Sequence, residues 1–142
     1  TADASFLTVP QSAWLGLKGS EPTADWGTVK KEASAVLSAF VASPAAKALS
    51  QVDILGREVP FVRTLEDGGI QRGAMDLLYR KDGRVWVADY KTAAVHDPKT
   101  AQAEWGAQGE AYTAAVKAAT GEGARFAVVS LKSGELLELA VG

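Results

Sequence analysis

Three side chains in the middle of the chain have types and spacing suited to chemistry on a charged substrate: Asp76, Asp89 and Lys91. The last two belong to the run VWVADYK, residues 85–91, an apolar strand whose polar residues come only at its end. Side chains alternate faces along a strand, so Val85, Val87, Asp89 and Lys91 share one face. Just before this run, Asp82-Gly83 is a hairpin turn signal. Asp76 precedes Asp82 by six residues and Asp89 follows Gly83 by six. Pairing about that turn sets the two carboxylates across from each other, with Lys91 beside them. Two carboxylates and an ammonium gathered in a pocket are costly to bury. Like charges raise each other's pKa, and a divalent cation removes that penalty. Hard oxygen ligands suit Mg2+ or Mn2+, and such an ion polarises a phosphate oxygen and acidifies a bound water. Lys91 would hold that water or stabilise charge on the phosphorane oxygens. This is equipment for phosphodiester hydrolysis. The same residues admit a plainer reading, an Asp–Lys ion pair at a strand end with an unrelated Asp near a turn.

The surrounding elements must position these groups. Val29, Ala33, Val36, Leu37 and Phe40 recur at helical spacing and predict a helix over 28–41. Ser43-Pro44 starts a second, short helix through Leu49. The period then changes: Val59–Arg63 reads as a short strand, Ile70–Arg80 as a longer one, and Val85–Lys91 as the third. Asp97-Pro98 supplies a cap and a first-turn proline for a helix to about Ala119, stopped by Gly121 and Gly123, although Gly106 and Gly109 weaken it. Arg125–Leu131 and Glu135–Val141 are the last two strands. The resulting expectation is an α/β domain with a mixed central sheet flanked by helices, over residues 28–142. Residues 1–27, punctuated by Pro10, Gly16, Gly19 and Pro22, read as an irregular N-terminal arm with an apolar patch at Trp14, Leu15 and Leu17.

Composition narrows the chemistry. The 142 residues suit one domain, and 47% hydrophobic content suffices for one core. There is no run of about 18 apolar residues, and no basic start followed by an apolar stretch, so neither a membrane span nor a signal peptide is expected. The absent initiator Met suggests a piece of a longer or processed chain. With no Cys, disulfides, thiol catalysis, zinc fingers and iron–sulfur clusters drop out, which fits a reducing cytoplasm. His96 is the sole imidazole, so a site of two or more His ligands is ruled out. The net charge of -2 argues against a stand-alone nucleic-acid binder, but a domain in a larger assembly can borrow a basic groove from its neighbour.

Four segments carry a resemblance: Arg57-Glu-Val-Pro-Phe61, Gly73-Ala-Met-Asp76, Asp89-Tyr-Lys-Thr92 and Gln108-Gly-Glu-Ala-Tyr112. In order and spacing, over roughly residues 36–131, they resemble the E-x-P-F, G-x-x-D, D-[YF]-K-T and Q-x-x-x-Y motifs of RecB/AddA-type nuclease domains in the PD-(D/E)XK superfamily. The resemblance implies a restriction-endonuclease-like core and a Mg2+-dependent deoxyribonuclease in which Mn2+ can substitute. It implies Asp76 and Asp89 as metal ligands, completed by the backbone carbonyl of Tyr90, with Lys91 as the catalytic lysine. Gln108 and Tyr112, four residues apart and so on one helical face, would look into the active site toward nucleic acid. It further implies DNA as substrate, a helicase domain in the same polypeptide or complex, and work in DNA break repair or recombination. One feature departs from the pattern. The family usually has a metal-binding His on an N-terminal helix, and Trp26-Gly27-Thr28-Val29-Lys30-Lys31 resembles that segment with Lys31 in the His slot. Alternatively residues 28–41 match a later helix and the His helix is missing. Either case leaves a second reading open, a catalytically inactive nuclease-fold module that grips DNA or scaffolds a repair complex.

Other residues have weaker signals. Glu58 is a candidate acidic ligand or partner of Lys91, or simply a surface residue. His96 reads as an exposed loop residue near the site. Trp86 and Trp105 read as packing residues rather than base-stacking platforms. Arg72, Arg80, Lys81 and Arg84 make the central hairpin locally basic and able to contact phosphates.

Overall fold

Asp25 opens the first helix, α1 (Trp26–Val41), by accepting a 2.7 Å hydrogen bond from the Thr28 hydroxyl and a longer one from its backbone N–H. The computed structural model of the protein describes residues 25–141 from this cap onward. The apolar stripe of α1 is only partly covered. Phe40, at its last turn, is the one buried residue, while Val29 and Val36 are exposed. Ser43 caps the short α2 (Pro44–Leu49), whose Pro44 sits in the first turn, where a missing N–H leaves no bond unmade.

The chain then builds β1 (Asp53–Thr64), β2 (Ile70–Lys81) and β3 (Arg84–Lys91) as a meander. The turn between β2 and β3 works as read from Asp82-Gly83. Both residues have positive φ, 51° and 73°, as a two-residue turn matched to strand twist requires. Helix α3 (Pro98–Thr120) follows, capped by the Asp97 carboxylate on Lys99 N and Thr100 N and closed by Gly121 at φ 74°. It carries the chain across one sheet face to β4 (Ala124–Ser130), which pairs parallel to β3; β5 (Leu136–Leu139) returns antiparallel. A parallel pair needs such a crossover. The sheet order is β1-β2-β3-β4-β5, the mixed sheet with flanking helices expected of a restriction-endonuclease-like core.

Two apolar layers lie on the two sheet faces. Val85, Val87, Phe126 and Val128 face Tyr112, Ala115 and Val116 of α3. Leu77, Tyr79, Trp86, Ala88, Ala127 and Val129 pack with Phe40 and the buried side of α2. Gly109 does not weaken α3 but seats it. A Cβ there would stand 2.3 Å from Phe126 Cδ1 and 2.8 Å from Val141 Cγ1.

Several element boundaries differ from expectation, most by one residue and three by more. β1 starts at Asp53, six residues before the expected Val59. Its polar opening carries no alternation signal and becomes strand through a ladder with β2, Asp53↔Arg80 to Arg57↔Leu77; pairing to a neighbour overrides weak local preference. Trp26 and Gly27 belong to α1 because the cap falls on Asp25, and β5 is shorter than Glu135–Val141. Of the arm expected over residues 1–27, residues 1–24 lie outside the described residues. Among the described residues no helix is long and apolar enough to cross a membrane.

Candidate active site

The pairing of β2 with β3 runs from Lys81↔Arg84 to Leu77↔Ala88, and one more step in that register faces Asp76 with Asp89. The ladder stops there. In place of a backbone partner, Tyr90 N donates to Asp76 Oδ2 at 2.8 Å. The N–H and C=O of a strand residue point to the same side, so the Tyr90 carbonyl is directed to the side from which Asp76 approaches. Asp89 lies on the α3 face with Val85 and Val87 and is only 5% exposed. Its Oδ2 is 2.6 Å from Lys91 Nζ.

Helix α3 completes the arrangement. Lys91 Nζ donates to Gln108 Oε1 at 2.8 Å, and Gln108 Nε2 donates to the Tyr112 hydroxyl at 2.8 Å. Asp89, Lys91, Gln108 and Tyr112 thus form a chain of four polar side chains. The Tyr112 ring is held edge-on by Phe61 at 5.5 Å and Phe126 at 6.1 Å between centroids. Phe61 belongs to the E-x-P-F segment, and Gly73 makes room for it: a Cβ at Gly73 would come within 2.7 Å of the Phe61 ring.

Burial pushes the Asp76 carboxyl above its ordinary pKa. The adjacent Asp89 adds to the rise, by charge and by a shared hydrogen bond, while the Tyr90 N–H and Lys91 oppose it. Burial also raises Tyr112, with Asp89 pushing the same way and Gln108 opposing. Besides burial, the site has a shortage of positive charge, one ammonium against two carboxylates. A divalent cation between the carboxylates would supply it. The oxygen donors on hand, two carboxylates and the Tyr90 carbonyl, fit an ion such as Mg2+, which keeps several waters and needs few protein ligands. Among the described residues no group of three His, Cys, Asp or Glu side chains gathers anywhere, so no third acidic or imidazole side chain joins Asp76 and Asp89.

The remaining candidates sit elsewhere. Glu58 is exposed, and Lys91's partners are Asp89 and Gln108 instead. Glu58 has a positive φ of 48°. It stands opposite Asp76 in the β1–β2 register, between the pairs Arg57↔Leu77 and Val59↔Met75. A non-glycine residue in this conformation is strained, and the strain falls beside the site. His96 Nδ1 lies 2.6 Å from Glu135 Oε2, on an exposed side chain. Lys31 is exposed on α1 and has no ion pair with either aspartate. Arg80 and Lys81 sit at the opposite end of the strands, paired with Glu122 and Glu138. Trp86 is buried, as the packing reading expects.

Sequence reasoning missed one neighbour of the site. The Trp105 ring centre is 5.5 Å from Lys91 Nζ. The signal was available: Trp105, Gln108 and Tyr112 are spaced i, i+3, i+7 and so lie on one helix face.

A family model described as the PD-(D/E)XK nuclease superfamily matches residues 2–138 of the chain. No curated protein matches it.

Proposed function

The chain belongs to the PD-(D/E)XK nuclease superfamily, and from that premise we propose that it is a Mg2+-dependent deoxyribonuclease of the RecB/AddA type. The observation that carries this reading is the juxtaposition at one strand end: Asp76 facing Asp89 across the hairpin register, with Lys91 2.6 Å from Asp89 and turned into the same pocket. Asp76, Asp89 and the Tyr90 carbonyl are the proposed ligands. A divalent ion held there would polarise the scissile phosphate and acidify a water. Lys91 orients the attacking water and meets the charge that grows on the phosphate oxygens. Gln108, itself held by Tyr112, positions Lys91 beside Asp89, and both residues present α3 to the nucleic acid. The order of the four motifs supports a helicase-linked role in DNA break repair or recombination. Glu58, strained and exposed beside Asp76, is a candidate for a further contact to the ion through water.

One observation favours a second reading, the inactive DNA-gripping module. Among the described residues the two aspartates have no third side-chain ligand. Linear DNA incubated with the protein in Mg2+ or Mn2+ separates the two. The expected result is cleavage that Lys91→Ala abolishes without altering the fold, with Ca2+ supporting little turnover because its looser geometry positions water poorly. DNA binding without cleavage in either ion would leave the module. Equal cleavage by Lys91→Ala and parent would assign the activity elsewhere.

A further inference from the structure

Helix α3 brings into the site a third residue for which hydrolysis alone has no use. Trp105 shares a face with Gln108 and Tyr112, and its indole meets the Lys91 ammonium at 5.5 Å. The residue is half-buried, not sealed in the core. It also lines a hollow of about 230 Å³ on the side of the loop after β3, together with Ala94, Val95, Thr100 and Ala101. Trp105 therefore joins this hollow to the proposed catalytic lysine.

We propose that the hollow receives the base of the nucleotide next to the scissile phosphate, stacked on the Trp105 indole. This rests on the nuclease reading above. Charge sorts the two parts of a nucleotide. Asp97, Glu104 and His96 also border the hollow, and the imidazole is engaged by the Glu135 carboxylate, so a phosphate is repelled there, whereas Lys91 attracts one. An uncharged base meets no such penalty. The Asp97 carboxylate is already engaged by the Thr100 backbone N–H at 2.9 Å as the cap of α3, which leaves the apolar side chains and the indole to make the contact. The hollow is smaller than the roughly 300 Å³ at which pockets for drug-sized ligands begin, a size for one ring system. A base can enter only if it leaves its own stack. The consequence is a preference for single-stranded or frayed DNA ends, largely indifferent to base identity because every base offers a π face.

The test is binding of labelled single-stranded oligothymidine and of an equally long abasic strand, by fluorescence anisotropy in Ca2+, which suppresses cleavage. The parent should bind the thymidine strand about tenfold tighter, as one base–aromatic stack predicts. Trp105→Leu, which keeps apolar bulk but loses the π face, should bind both strands alike and hold the abasic strand as the parent does. Ala94→Leu adds bulk to the lining of the hollow and leaves the indole itself in place. It should remove the preference too, and it decides the matter where Trp105→Leu fails to fold. Equal or unmeasurable binding of the two strands by the parent, or a preference that survives in the variants, overturns the proposal. Absence of cleavage in Mg2+ and Mn2+ sinks the nuclease reading separately, since stacking is read from binding alone.

Discussion

The two ends of the β2–β3 hairpin both carry charge and treat it oppositely. At the turn end, Arg80 grips Glu122 through two hydrogen bonds of 2.8 and 3.1 Å, and Lys81 lies 3.6 Å from Glu138. These side chains are 39–50% exposed, and ion pairs of this kind contribute about 0–1 kcal/mol. At the other end, six residues from the turn, Asp76 and Asp89 are pressed together, with the Asp89 side chain 7% exposed and Lys91 20% exposed. Here like charge and burial both act against the ionised state. One end is arranged in a way that suits folding. The other is arranged against it, and such an arrangement marks a place where charge is kept for chemistry.

The comparison can be broken most severely at Asp76. Asp76→Asn keeps an acceptor for Tyr90 N but removes one proposed metal ligand. Cleavage should fall at least about a hundredfold, because a catalytic metal contributes several kcal/mol. Without metal the same variant should melt higher than the parent at neutral pH. The sign follows from the raised Asp76 pKa. The native state holds that proton to higher pH than the unfolded chain, so ionising the half-buried carboxyl costs stability above the folded pKa. As pH falls through that value toward the unfolded 3.8, the cost disappears and the two proteins should converge. Thermal melts across this range, with and without Mg2+, check both parts. A variant less stable than the parent at pH 7 would mean that the carboxylate pair is not under strain.

The next effect is steric. Gly109→Ala would drive a methyl group into Phe126 and Val141, and overpacking of this kind costs about 1–3 kcal/mol. Because α3 carries Gln108 and Tyr112, activity should fall with the melting temperature while the turn-end pairs stay intact. Full activity in a destabilised Gly109→Ala protein would detach α3 from the chemistry. Smaller again is Gln108→Ala. It removes the hydrogen bond to Lys91 at a half-buried position, so turnover should drop about tenfold, equivalent to one hydrogen bond of about 1.4 kcal/mol to a charged group, with little change in melting. A large thermal loss at unchanged turnover would make Gln108 structural. The smallest effect belongs to the turn end. Arg80→Ala should leave the melting temperature almost unmoved, as for an exposed ion pair, and cleavage rates unchanged. A strong activity loss there would show that the basic turn contacts substrate after all.

Much of this was legible before any coordinates. Asp97-Pro98 and Gly121 bounded α3, Ser43-Pro44 opened α2, and Asp82-Gly83 set a turn whose register faces Asp76 with Asp89. These features are local: a cap, a glycine with positive φ and the alternation of strand side chains depend on residues a few positions apart. The near end of β1 was not legible, since residues 53–58 become strand only through β2. Nor was the strained backbone at Glu58, which appears where the β1–β2 and β2–β3 ladders both break around Asp76.

The amino-acid sequence by itself determined which residues could do chemistry and that the hairpin brings Asp76, Asp89 and Lys91 to one strand end. Only the tertiary structure decided how those charges are balanced. The Lys91 bond to Gln108, the indole of Trp105 against the ammonium, and the seat of Gly109 on Phe126 each join β3 or β4 to a helix many residues away. No local rule sets the distance between such elements. It follows from how a whole apolar layer packs, and a glycine that reads as a weak point in an isolated helix becomes the residue that lets the helix reach the site.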